Sequence, residues 1–423
     1  MLYRCKNTEC KKIIDSSNIE ITCPFCQGSL GKEEEKNLNG ADYCNLGLFY
    51  HDHDMEKNAL KAFRRSAALG SGMGTSNLAW CMESGVGIDS DPRQAFWLYQ
   101  QAVFMGYKPA LCSVGVCYQK GIGVPKNPEI AVSYYLQAAE KGIIRGQILM
   151  ANAFTEGVGV EKNLKLAFDW WRMVAIQGDA LSQYELALCY QTGTGCTMNP
   201  KMAIRWYLKS AKGGHSESQF QLGLLCETGT WFEKDERAAV SWYVKAAKEK
   251  HPKATFRLGL AYLGGKGVEK DENQGLKLLF LSGQNGYPEA FYPIGLCFTH
   301  GIGTEKNLEK AYQWWSIGAR LDERDCQHMV GECLEFGKGT EENHEEAFTW
   351  YMESAKGGSS LGLSHLYQYL LSHEAMDSKK TWLSDQFEEK INSILKQEFP
   401  SFQEESQEVL AVLTPLLEKT GNL

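Results

Sequence analysis

Residues 110–142, ALCSVGVCYQKGIGVPKNPEIAVSYYLQAAEKG, decide the fold. Ala110 and Val114 stand four apart, which puts both on one face of a helix. Gly121-Ile122-Gly123 then suits a helix C-terminus and a tight turn, where the backbone often needs positive φ. Asn127 is a good N-cap for a second helix, and Pro128 fits the first helical position. Ala131 and the ring pair Tyr134-Tyr135 follow on that helix. The stretch reads as helix, glycine turn, helix.

The same unit recurs with a period of 36 residues. The first glycine of the turn falls at Gly85, Gly121, Gly157, Gly193, Gly229, Gly265, Gly301 and Gly337. A second glycine follows two residues on in every copy but one, where Trp231 replaces it. Small residues open the first helices (Gly74, Ala110, Gly146, Ser182, Ser218, Ala254, Ala290, Cys326), and an apolar anchor follows each: Leu78, Val114, Met150, Leu186, Leu222, Leu258, Ile294, Val330. Asp or Asn recurs at the second-helix cap, from Asp91 to Asn343. Ring pairs recur as Trp170-Trp171, Trp206-Tyr207, Trp242-Tyr243, Trp314-Trp315 and Trp350-Tyr351. Rings repeating at one position are expected to pack between helices. Self-similarity at this period marks a solenoid of two-helix units.

The chain has 423 residues, 43% hydrophobic and 23% charged, the composition of a folded protein. Its net charge of −8 gives no global basic field toward nucleic acid or anionic lipid. No run approaches the roughly 18 apolar residues of a membrane span. The N-terminal MLYRCKNTECKK lacks the apolar core of a secretory signal, so the expected location is the cytoplasm, or outside it by export without a cleaved signal.

The repeats resemble the Sel-one-like repeat family, a relative of the tetratricopeptide repeat. The shared pattern is A-x-x-x-L-G-x-x-Y, G-x-G-V, D/N, then A-x-x-W/Y-Y-x-x-A-A, and it covers about residues 41–372. The resemblance implies an all-α, right-handed α/α superhelical solenoid whose concave face binds protein segments, as in adaptors. Residues 41–70 form a shorter copy in which HDHDMEKN replaces the glycine loop. Some secreted relatives staple each repeat with a disulfide; the corresponding positions here include Gln147, Gln183, Ala139 and Ala175, so that staple is missing. The domain reading is a zinc-ribbon-like module at 1–32, a polar linker at 33–40, the solenoid at 41–372 and C-terminal capping helices at 373–423.

Cys5, Cys10, Cys23 and Cys26 have the spacing C-x4-C-x12-C-x2-C, which suits tetrahedral zinc held by four thiolates at about 2.3 Å. A segment this short buries too little core to fold alone, so a structural zinc ion is expected to supply its stability. Its basic residues (Arg4, Lys6, Lys11, Lys12, Lys32) barely outnumber Glu9, Asp15 and Glu20, a weak patch for nucleic acid.

Other chemical candidates are thinner. Cys81, Cys117, Cys189, Cys297 and Cys333 share one repeat position and read as small core hydrophobes. His51-Asp52-His53-Asp54 lacks converging ligands, and His215, His251, His300, His328 and His344 do not all share one position. No S-x-x-K occurs within the repeats, and no motif there sets a nucleophile beside a base.

The best functional signal lies on the first helices. Tyr184, Phe220, Phe256, Tyr292 and His328 stand two before the anchors, and Leu188, Leu224, Leu260 and Leu296 two after. By analogy with tetratricopeptide repeats these face the concave groove, where the stripe would take an apolar peptide or helix. Ser76, Cys112 and Ile148 hold the earlier positions, so the groove changes character at Tyr184. The expected function is a non-enzymatic protein-interaction scaffold. A β-lactam-type hydrolase and a zinc-ribbon nucleic-acid adaptor are the alternatives.

Overall fold

The computed structural model describes residues 2–5, 13–15, 30–32, 38–231, 233–359, 362, 365 and 366. Three short strands, β1 (Leu2–Cys5), β2 (Ile13–Asp15) and β3 (Leu30–Lys32), form an antiparallel sheet in the order β2-β1-β3. The remaining elements are helices in pairs, and the chain divides between His215 and Ser216 into two compact units.

The first unit holds the sheet and five pairs: α1 (Gly40–Asp52) with α2 (Glu56–Ala68), α3 (Gly72–Ser84) with α4 (Pro92–Phe104), α5 (Ala110–Lys120) with α6 (Pro128–Glu140), α7 (Ile144–Glu156) with α8 (Leu164–Ile176), and α9 (Ala180–Thr192) with α10 (Pro200–Lys212). Strand β2 lies alongside α1. A helix pair occupies 40–68, where the shorter first copy is expected. Its fold starts earlier than the linker reading placed it: Leu38 is buried, and Asn39 closes a reciprocal capping box with Asp42. The second unit holds α11 (Ser216–Thr228) with α12 (Glu236–Lys248), α13 (Pro252–Gly264) with α14 (Glu272–Gln284), α15 (Phe291–His300) with α16 (Leu308–Arg320), and α17 (Arg324–Phe336) with α18 (His344–Lys356). A 3-10 turn at Pro288–Ala290 precedes α15, whose first turn contains Pro293.

The repeat chemistry operates as the spacing predicts. All eight Asp or Asn caps accept from a backbone N–H three residues on, as Asn127 does from Ile130 at 2.9 Å and Asp271 from Gln274 at 2.9 Å. The opening small residues and the eight anchors are buried. The second glycine of the turn has a double reason: at Gly195 φ is +71°, and a Cβ would run into the Leu164 carbonyl oxygen of the preceding repeat. Trp231 adopts φ 73° despite its side chain, the left-handed conformation that glycine takes in the other copies.

The ring pairs divide by depth. The second ring is core at Tyr135, Trp171, Tyr207, Tyr243, Trp315 and Tyr351. The first ring is half-buried on the shoulder of the helix, except Trp206, which is buried. Serines on second helices tie down the start of the first helix of the same repeat: Ser210 donates to Ala180 O at 2.6 Å, Ser282 to Pro252 O at 2.8 Å and Ser354 to Arg324 O at 2.7 Å. Buried glutamines on first helices tie back to the preceding second helix. Gln183 donates to Ala175 O at 3.1 Å and Gln147 to Ala139 O at 3.5 Å.

Candidate functional site

In the second unit the stripe residues lie on α11, α13, α15 and α17, and they differ in depth. Leu224, Phe256, Leu260, Tyr292 and Leu296 are half-buried, whereas Phe220 is 6% exposed and His328 5%. Phe256, Leu260, Tyr292 and Leu296 border one continuous core with Ile294 and Val330. Phe220 and Phe256 are covered by the residue 31 positions on: His251 stacks on Phe220 at 4.9 Å, and Tyr287 meets Phe256 edge-on at 5.1 Å.

His251 does three things at once. Its Nδ1 accepts from the Ala254 N–H at 3.1 Å and caps α13, so Nε2 carries the proton and donates to Glu217 at 2.8 Å. That hydrogen bond holds the Glu217 carboxyl below its ordinary value. The ring face meanwhile shields Phe220. Sequence reasoning missed this layer, although His215, His251 and Tyr287 stand 36 apart and could have been found by the period. Beside Leu260 a cavity of about 170 Å³ is lined by Glu227, Tyr243, Arg257, Lys234, Glu236 and Lys266. Glu227 accepts from Tyr243 and pairs with Arg257 at 3.6 Å, so much of that charge is internally balanced.

In the first unit Tyr184 and Leu188 are half-buried on α9, with Tyr184 packed against His215 at 4.9 Å. The preceding positions read half-buried Ser76, buried Cys112 and half-buried Ile148. Glu185, between the two stripe residues, is a half-buried carboxylate whose pKa is raised by burial. A shallower hollow of about 970 Å³ lies at the turns of the second and third helix pairs, against Met82, Asp89, Asp91, Arg93 and Val124.

Cys5 ends β1, while Cys10, Cys23 and Cys26 lie outside the described residues. So do the proposed capping helices of 373–423, and of the last first helix only Gly362, His365 and Leu366 are described. Among the described residues no three His, Cys, Asp or Glu side chains converge as a metal site. His51 meets Trp80 edge-on at 4.8 Å, and His53 contacts the Phe49 carbonyl oxygen through Nδ1 at 2.8 Å, so the two are engaged separately.

The periodic cysteines are buried, free thiols. Burial pushes Cys81 and Cys297 up to about 11, and Cys117, Cys189 and Cys333 to about 12, the reverse of an activated nucleophile. S-x-x-K spacings do occur beyond the repeats, at Ser29 to Lys32 and Ser393 to Lys396, but both serines lie outside the described residues. Among the described residues no helix is long and apolar enough to cross a membrane.

The Sel1 repeat family matches in eight copies, at residues 73–106, 108–143, 144–179, 180–215, 216–251, 252–287, 289–323 and 324–359. The fold is similar to that of c5321, a protective antigen of uropathogenic Escherichia coli strains displaying an SLR fold. That chain is 24% identical with a TM-score of 0.61, over 88% of this chain and 79% of the other. It is also similar to a Sel1 repeat protein from Oxalobacter formigenes, 22% identical with a TM-score of 0.56, over 73% of this chain and 89% of that one. Comparison with curated proteins finds no match. The helix pairs, the capped glycine turns and the eight matched copies together make this chain a member of the Sel1 repeat family.

Proposed function

We propose that the chain is a protein-interaction scaffold that holds a partner segment against its first-helix faces. Sel1-repeat proteins generally act as such scaffolds. The observation that carries the reading is the row of Leu224, Phe256, Leu260, Tyr292 and Leu296 in the second unit. These apolar side chains recur at fixed repeat positions yet stop short of full burial, leaving surface that a peptide or helix could cover. The test is a double variant, Leu260→Glu with Leu296→Glu, checked for unchanged helicity by circular dichroism and compared with wild type for captured partners. Partner capture that survives both charges would defeat the reading.

We further propose that Cys5, Cys10, Cys23 and Cys26 hold one structural zinc ion. What supports this is the donor set and its spacing, together with the placement of Cys5 at the end of the central strand of a three-stranded sheet. Four thiolates leave no open coordination position, so the ion would organise the module and not act on a substrate. Metal analysis of the purified protein should find about one zinc per chain. Cys23→Ser should abolish it without altering the helical signal of the repeats.

A further inference from the structure

We propose that the first-helix face of the first unit selects its partner segment by a basic side chain, lysine or arginine, set between apolar residues, with Glu185 as its counter-charge. The inference rests on the scaffold reading and specifies the chemistry of the occupant.

Glu185 sits on α9 in apolar company. Leu181, 44% exposed, stands four positions before it and half-buried Leu188 three after, so the three share one ridge of the helix. One repeat back the same position is half-buried Leu149. The two copies before that carry Ser113 and Asn77, so Glu185 is the one carboxylate at this position among the unit's four full repeats. Among the described residues no hydrogen-bond donor or cation reaches its carboxylate, and desolvation is the only influence that moves its pKa.

Several other half-buried carboxylates of the repeats do have a donor. Glu83 accepts from Tyr99 at 2.8 Å, Glu335 from Tyr351 at 2.7 Å, and Glu217 from His251. Glu185 is partly desolvated, and no described side chain or backbone N–H pairs with its carboxylate. An ammonium or guanidinium arriving on a bound segment would pair with it, and flanking apolar side chains would cover Leu181 and Leu188. A segment with an acid at that place would be repelled.

The experiment pans the full-length protein against displayed random peptides, then measures selected peptides by fluorescence anisotropy against wild type, Glu185→Gln and Leu188→Ala. Enriched peptides should carry lysine or arginine between apolar residues. Glu185→Gln should weaken them about tenfold, while a peptide with norleucine for its lysine should bind wild type and Glu185→Gln alike. If selected peptides lose affinity with Leu188→Ala but not with Glu185→Gln, or lack a basic residue, the basic selectivity is overturned and the scaffold reading stands. If no peptide is selected, or all are indifferent to both substitutions, the proposal and the reading fall together at this face. Circular dichroism and melting of both variants separate these outcomes from loss of fold.

Discussion

Tyr243 on α12 donates its hydroxyl to Glu227 on α11, sixteen residues back and across the two helices of one repeat. The same bond joins Tyr99 to Glu83, Tyr135 to Gln119, Tyr207 to Gln191 and Tyr351 to Glu335. The partner changes with the ring. Where the second helix carries Trp171 or Trp315 the earlier position is Thr155 or Thr299, and opposite Leu279 stands Leu263. A buried phenol needs an acceptor, whereas an indole N–H can find another; Trp315 donates to Tyr292 O at 3.0 Å. Room for the ring comes from small residues such as Gly115, Gly223 and Gly331, where a Cβ would strike Tyr135, Tyr243 or Tyr351.

Tyr243→Phe should therefore destabilise the protein by about 1–3 kcal/mol, because it strips a partly buried carboxylate of a donor. Glu227→Gln should cost less, since Gln119 and Gln191 serve the same bond elsewhere. Denaturant melts of Tyr243→Phe, Glu227→Leu and the double variant measure the coupling. Strict additivity of the two single effects would show that the bond contributes nothing.

Glycines at positive φ in this chain are not equivalent. Gly195 has φ +71° and abuts the Leu164 carbonyl, whereas Gly178 has φ +101° with nothing within 4 Å of a Cβ. Gly178→Ala should cost about 1 kcal/mol, the backbone penalty alone. Gly195→Ala adds a clash with a backbone atom that cannot swing away, so its loss should exceed that of Gly178→Ala by a margin visible in the melting temperature. Equal shifts would mean the backbone yields freely at the turn.

Glu185 gives a stability test independent of any partner. Burial raises its folded-state pKa, so its ionised form is disfavoured by folding. The cost is fully present above the raised folded value and disappears as pH falls through it toward the unfolded value. Glu185→Gln should therefore be more stable than wild type at neutral pH, with the difference shrinking in acid. A variant less stable than wild type at neutral pH would reveal a carboxylate that the fold needs.

The repeat fold was legible because it is written eight times: cap, turn glycine and anchor recur at one spacing in every copy, and the core ring in every copy but the one that carries Leu279. Depth on the first-helix face was not. Phe220 and Phe256 occupy the same position, yet His251 lays a stacked ring over one and Tyr287 only an edge against the other. At these two positions depth follows the residue 31 later, which helix periodicity alone does not reveal. The tyrosine–carboxylate bonds were hidden similarly, because each half looks like an ordinary helix residue until the sixteen-residue offset pairs them. Glu185 gave no signal in the sequence, because the earlier copies carry Asn77, Ser113 and Leu149 there and the position shows no pattern.

His328 makes the end of the second unit sensitive to acid. It is buried on α17, where desolvation and the neighbouring His365 hold its pKa down to about 4, against the opposing pull of Glu332 and Asp325. Its Nε2 lies 2.9 Å from His365 Nδ1, a contact that needs one nitrogen to donate and the other to accept. His365 also stacks on Tyr351, and Leu366 beside it is buried in the core of the last pair. An unfolded histidine takes up its proton near pH 6.5, while the folded one resists until about pH 4. The unfolded state therefore binds more protons across that window, and stability falls as pH drops from about 6.5 toward 4, then levels off. Protection against amide exchange, taken relative to the intrinsic exchange rate at each pH, should fall over this range more in α17 and α18 than in α9 and α10. His328→Phe should flatten that local dependence while keeping the ring packed on Tyr351. An unchanged acid dependence in His328→Phe would show that His328 is not its origin.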